Sequence, residues 1–205
     1  MKKLLTVPFA LFLGLMTLIP SFASASEDPV SMLNSVANQM ISGLKTHKAT
    51  LKSNPSVVYS LANRIVVPHA NLEAMSQRVL PPQTWKNATP SQRGEFKTQF
   101  TRVLERTYAS ALANYTDETV KFYPVRGGYQ GKSSISVNSE IVRPDGPSIR
   151  VSYRLLASGG QWKLYDMTVE GVSMLESFRS QFSSQLSKGN IAELIATLKK
   201  HNAGM

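Results

Sequence analysis

The chain contains no cysteine. Disulfides, thiolate metal sites and cysteine nucleophiles are therefore excluded. Histidine is scarce, and none of His47, His69 and His201 has a second histidine at helical ligand spacing. No His-Glu-x-x-His or similar pattern occurs, so no metal site is expected. A Gly-x-Ser-x-Gly elbow is also missing, which leaves the many serines without a nucleophile context. After residue 25 no apolar run approaches the ~20 residues a membrane span needs. There is no internal repeat and no low-complexity segment.

The first residues hold the one long apolar run. Lys2 and Lys3 precede LLTVPFALFLGLMTLI, and Ala23 and Ala25 supply the small-x-small pattern read by signal peptidase. Residues 1–25 are expected to be a cleaved leader, with no cysteine behind it for acylation and a periplasmic product. Cleavage leaves 180 of the 205 residues, enough for one domain, 26–205, with a core of its own. Loss of Lys2 and Lys3 lowers the 23 basic residues to 21 against 13 acidic ones, a net charge of +8. Outside the cytoplasm that charge points to anionic lipid or acidic protein surfaces, not nucleic acid. A solvated basic surface without a specific partner accounts for it equally well.

The periodicity divides the mature chain into three parts. Asp28-Pro29 is a helix start, and Leu33, Val36, Met40 and Leu44 follow on one face. Asn54-Pro55 opens a second helix with Val58, Leu61 and Ile65, and a short one around Leu72, Met75 and Val79 stops at Pro81-Pro82. Thr89 and Gln92 have the spacing of a capping box at the head of a helix reaching about Tyr115. Its apolar arc is wide enough to require cover on more than one side. From Val120 the period becomes two. VKFYPV, SISVNSEIV, SIRVSYRLL and QWKLYDMTV predict four antiparallel strands between 119 and 171, with Ile149, Val151, Tyr153 and Leu155 on a dry face and Arg150, Ser152 and Arg154 on the other. Ser173 with Glu176, and Asn190 with Glu193, open two closing helices over 172–201. The fold class is α+β: helices over 28–116, a twisted four-stranded sheet, then helices again.

Two stretches invite a chemical reading. Asp166 and Glu170 stand four residues apart, which is ~13 Å along a strand at ~3.3 Å per residue. Carboxylates that share a glycosidic bond sit about 5 to 9.5 Å apart, so these two are expected to anchor loop amides or pair with a base. RGGYQGKS resembles a phosphate loop, but the position five before Gly131 is Arg126 and not glycine, so the segment reads as a strand connection. No catalytic set assembles. The remaining surplus is flexible apolar material: Met32, Met40, Met75, Met167 and Met174 among aromatic and aliphatic residues. Core filling and a pocket for an elongated apolar ligand both fit that surplus.

WKNATPSQRGEFKTQFTRVLERTYASALANY and WKLYDMTVEGVSMLESFRSQF resemble segments of the MlaC family of periplasmic phospholipid carriers. The matching positions are Trp85, Ala88 to Arg93 and Tyr108 to Leu112, then Trp162, Tyr165, Asp166 and Glu170 to Ser173. The chain departs from the family at Leu80-Pro81-Pro82, where Leu-Gly is common. The resemblance, over about 30–200, implies a monomeric, non-enzymatic carrier with phospholipid as ligand and no other cofactor. It implies transfer between an outer-membrane lipoprotein–porin complex and an inner-membrane ABC transporter with its membrane-anchored lipid-binding subunit, which maintains outer-membrane lipid asymmetry. An apolar pocket between sheet and helices would hold the tails.

Candidate lining residues are Tyr108 and Leu112 on the long helix, Val137, Ile141, Val151 and Tyr153 on the sheet, and Tyr165, Met167, Val169, Met174 and Phe178 after it. Arg126, Lys132 and Arg150 are candidates for head-group or partner contact. Two other readings stay open: a periplasmic α+β enzyme using Asp166 as an acid in an apolar cavity, and an envelope adaptor that binds only proteins.

Overall fold

The computed structural model describes residues 27–114 and 117–203, without the side chains of residues 108, 110, 111 and 113. The expected leader, 1–25, lies outside the described residues. The elements run α1 (Pro29–Thr46), α2 (Ser56–Ile65), a single 3-10 turn (Val67–His69), α3 (Leu72–Val79), α4 (Pro82–Asn87), α5 (Pro90–Ala113), β1 (Thr119–Phe122), β2 (Ser134–Val142), β3 (Ile149–Ser158), β4 (Gln161–Val169), β5 (Val172–Ser173), α6 (Met174–Leu186) and α7 (Ile191–Ala203).

Side-chain caps set several of the helix starts. Asp28 accepts from the Ser31 amide at 2.8 Å, and Asn71 accepts from that of Ala74 at 2.9 Å. Thr89 and Gln92 form the reciprocal box, each side chain accepting from the other's amide at 3.2 and 2.9 Å. Pro82, expected only to stop α3, also begins α4. At the first helical position its missing N–H costs nothing.

The sheet has five antiparallel strands in the order β1-β2-β3-β4-β5, one more than the alternation predicted. The extra strand follows from the turn after β4. Glu170 and Gly171 both have positive φ, 47° and 84°, as the two central residues of a tight hairpin turn require. The chain therefore doubles back, and Val172 and Ser173 pair with Val169 and Thr168. Gly159 and Gly160, also at positive φ, make the β3–β4 turn in the same way.

The β2–β3 register confirms the dry face: Ile135 lies opposite Leu155, Val137 opposite Tyr153 and Ile141 opposite Ile149. On β4 the register shifts. Arg154 pairs with Asp166 but Leu155 with Leu164, so Tyr165 is an extra residue, a bulge. The bulge moves β4 out of phase. Trp162 and Leu164 face the dry side before it, and Met167 and Val169 after it, while Asp166 joins Arg154 on the polar side.

The buried apolar residues gather in three clusters. On the dry face, Met32 and Leu33 of α1 meet Ile135, Val137, Leu155 and Trp162. Between α1, α2 and α5 lie Met40, Leu44, Val58, Leu61 and Ala109. The largest joins α3 to α7 around Phe96, Phe100, Phe178 and Phe182, whose rings meet stacked, edge to face or tilted at 5.4–5.8 Å. Helix α5 contributes to the last two, as its wide apolar arc predicts. Among the described residues no helix is long and apolar enough to cross a membrane.

Candidate functional site

The junction from β4 to α6 is built around one carboxylate. Asp166 is 2 % exposed. Its Oδ1 accepts from the Met167 amide at 2.8 Å and the Leu175 amide at 3.1 Å. Its Oδ2 accepts from the Ser173 hydroxyl at 2.8 Å and lies 3.5 Å from Arg154 Nη1. Ser173 Oγ also accepts from the Glu176 amide at 3.2 Å, capping α6. Both oxygens thus tie the helix start to the sheet. Glu170 does similar work at the turn. It accepts from the Arg150 amide and lies 3.3 Å from Arg150 Nη2, and its own amide donates to Arg150 O at 3.0 Å. The Arg150 amide, against a weaker opposing effect of desolvation, holds the Glu170 carboxyl below the usual glutamate range. Both acids anchor amides and pair with a base, as their spacing predicts.

The candidate lining residues do not converge on one space. Val137 and Val151 are buried on the dry face, with Ile141, Tyr153, Met167 and Val169 half-buried beside them by register. Phe122 packs on Tyr153 at 5.5 Å, burial pushes the Tyr153 phenol up, and the Ser139 hydroxyl lies 3.4 Å from it. Phe178 belongs instead to the aromatic cluster of α3–α7, and Leu112 packs on that of α1, α2 and α5. Met174 is half-buried at the head of α6. Tyr108's side chain lies outside the described residues. Tyr165, expected beside Met167 and Val169, leaves that row because of the bulge and packs against the α3–α7 cluster. A phase break in the sequence marks this: the apolar positions of β4 are even at Trp162 and Leu164, then odd at Met167 and Val169.

On the dry face the clustered side chains of the sheet meet those of α1. An open cleft lies elsewhere. About 850 Å³ in volume, it is formed by α3, α4, the start of α5, β3 at Arg154, the bulge of β4 and the start of α6. Leu80, Trp85 and Leu175, all buried, bring the apolar cluster to its wall, and Arg78, Lys86, Arg93, Arg154 and Arg179 face it with Asp166 and Glu176. The guanidinium carbons of Arg78 and Arg154 lie 4.8 and 5.9 Å from the centre of the Tyr165 ring. Arg93 stacks on Trp85 at 5.2 Å and donates to the carbonyls of Trp85 and Lys86, both at 3.0 Å, closing the end of α4.

The three basic residues singled out from sequence lie apart from this cleft. Lys132 donates to Gly127 O and Gly128 O at 2.9 and 2.8 Å, closing its own loop as a strand connection should. Arg150 is engaged by Glu170, and Arg126 is exposed in the β1–β2 connection. The cleft's cations come from five elements, and periodicity within one element cannot group them.

The fold and sequence have clear relatives. A phospholipid-binding protein from Ralstonia solanacearum, solved in complex with a phospholipid, matches with a TM-score of 0.79 and 28 % identity, covering 86 % of this chain and 97 % of the other. The toluene tolerance protein Ttg2D of Pseudomonas putida is 28 % identical over 178 residues, 85 % of this chain and 82 % of its own length. The intermembrane phospholipid transport system binding protein MlaC of Haemophilus influenzae is 26 % identical over 186 residues, 89 % of this chain and 86 % of its own. The family model described as MlaC protein matches residues 34–200, nearly the whole of the described structure, and the chain belongs to that family.

Proposed function

We propose that the protein is a periplasmic carrier that takes up a phospholipid by its acyl chains and moves it between an outer-membrane lipoprotein–porin complex and an inner-membrane ABC transporter, maintaining outer-membrane lipid asymmetry. The observation that carries this reading is the fold-wide match to a protein solved with a phospholipid bound. The interior supports it. The three apolar clusters among the described residues, two of them bridged by Val36, meet along seams where side chains can part for a tail.

The energetics explain the need for such a carrier. Each methylene resists leaving a bilayer by ~0.8 kcal/mol, so two tails of roughly sixteen carbons resist by more than ~20 kcal/mol. A soluble carrier must offer an apolar environment of comparable quality about one leaflet deep, ~15 Å. No reaction is needed. Asp166, the residue an enzymatic reading would use, has both oxygens engaged in holding α6 to β4. Mass spectrometry of organic extracts from the purified protein tests the proposal. Phospholipid is expected in the extract. Its absence, together with no uptake from liposomes, would sink the carrier reading.

A further inference from the structure

We infer that the cleft between α3, α4, β4 and α6 recognises a phosphate group, the phosphodiester of the carried lipid's head group. The inference rests on the carrier reading and adds a polar subsite to it.

Electrostatics come first. Five cations face the cleft against two carboxylates. Those carboxylates are committed, Asp166 to Arg154 and to amides of the α6 joint, and Glu176 to Arg179 at 3.7 Å. Among the described residues Arg78, Lys86 and Arg93 form no ion pair. Arg78 spends one N–H on the Ala74 carbonyl at 3.3 Å and approaches the same tyrosine ring as Arg154. Two guanidiniums held near one ring repel each other, and a shared anion relieves that repulsion. Concave walls also concentrate the positive potential. Guanidinium is the group whose fork of donors matches phosphate oxygens two at a time.

Placement then connects the cleft to a lipid. Its cations stand beside Leu80, Trp85 and Leu175, so charge gives way to apolar cluster within one cleft. A phospholipid changes from phosphate to hydrocarbon over a similarly short step. The cleft also lies at the bulge of β4, between the Ala70–Leu164 bridge and the short pairing of β5 with Thr168 and Val169. Tyr165 and Asp166 wall the cleft while Leu164 and Met167 of the same strand face the dry side, so cleft and dry face lie on the two sides of one strand.

Vesicles containing phosphatidylglycerol and a diacylglycerol of identical chains provide the test. They are offered to protein purified from expression of the full chain, and the bound lipids are weighed by mass spectrometry. Arg78→Gln/Arg179→Gln leaves the Asp166–Arg154 pair untouched. The wild type should enrich phosphatidylglycerol at least tenfold over its ratio in the vesicle. In the double variant that enrichment should fall at least fivefold at unchanged total lipid per protein. The variant carrying lysine at both positions should keep most of it. Equal enrichment in wild type and the glutamine variant would overturn the inference while leaving the carrier reading intact. If the wild type takes up neither lipid, the carrier reading fails, and a calorimetric titration with inorganic phosphate at constant ionic strength decides the cleft. Binding lost in the glutamine variant would assign the site to free phosphate, and no binding would remove it.

Discussion

Glu170 holds its backbone in the left-handed region, at φ 47°, a conformation that L-residues other than glycine, asparagine and aspartate seldom adopt. Its side chain gives a reason to tolerate this, because the carboxylate clasps the amide and guanidinium of Arg150 across the hairpin. The clasp lowers the pKa in the folded state, so the unfolded chain binds the proton more readily. Its contribution is therefore complete above the ordinary glutamate range and is lost as pH falls through the folded value. Glu170→Gln keeps an acceptor for the Arg150 amide and removes only the charge. Wild type is expected to be the more stable in urea at pH 7, and the gap should narrow as pH falls below the ordinary glutamate range. A gap that persists unchanged at pH 3 would assign the stabilisation to the neutral hydrogen bond.

The β4–α6 junction is a property of elements. Ser173 caps α6 while donating to Asp166, and Asp166 accepts from the Leu175 amide inside the same helix turn. Ser173→Ala removes a cap and a hydroxyl donor, a loss of about 1–2 kcal/mol. Asp166→Ala leaves buried amides and Arg154 without their acceptor, a loss of about 3 kcal/mol. Because the two side chains share one hydrogen bond, the double variant should lose measurably less than the sum in urea unfolding. Strict additivity would show two independent contacts. The legible and illegible parts of the fold separate at this same junction. The cap at Ser173, the capping box at Thr89 and the dry face of β3 are local patterns, set by spacings of two to four residues, and the sequence carries them openly. The strand β5 depends on a backbone reversal at Glu170, a residue type that seldom signals positive φ. The bulge at Tyr165 inverts the alternation on which the candidate lining was based, so Tyr165 moves to the cleft wall while Met167 and Val169 keep the dry face. The cationic cleft was the least legible feature, since Arg78, Lys86, Arg93, Arg154 and Arg179 are neighbours only after folding.

For the molecule as a whole, the proposed function requires one apolar cluster to part for the tails, and the chain contains its own reporters of which one does. It has two tryptophans. Trp162 sits in the dry-face cluster at 6 % exposure, and Trp85 sits in the α3–α7 cluster beside the cleft at 7 %. Neither is wetted appreciably, so collisional quenching from solvent is weak and a quencher carried on a lipid tail reads location directly. With tails along the row of Val137, Val151, Tyr153, Met167 and Val169, and phosphate in the cleft, bromine placed midway along an acyl chain lies nearer Trp162. In the Trp85→Phe variant, loading with such a phospholipid should quench the remaining Trp162 at least twice as strongly as Trp85 is quenched in the Trp162→Phe variant. Bromine moved to the carbons next to the glycerol should reverse that order, because Trp85 lines the head-group end. Strong quenching of Trp85 by mid-chain bromine, with Trp162 unaffected, would place the tails in the α3–α7 cluster and remove the dry-face residues from the lining.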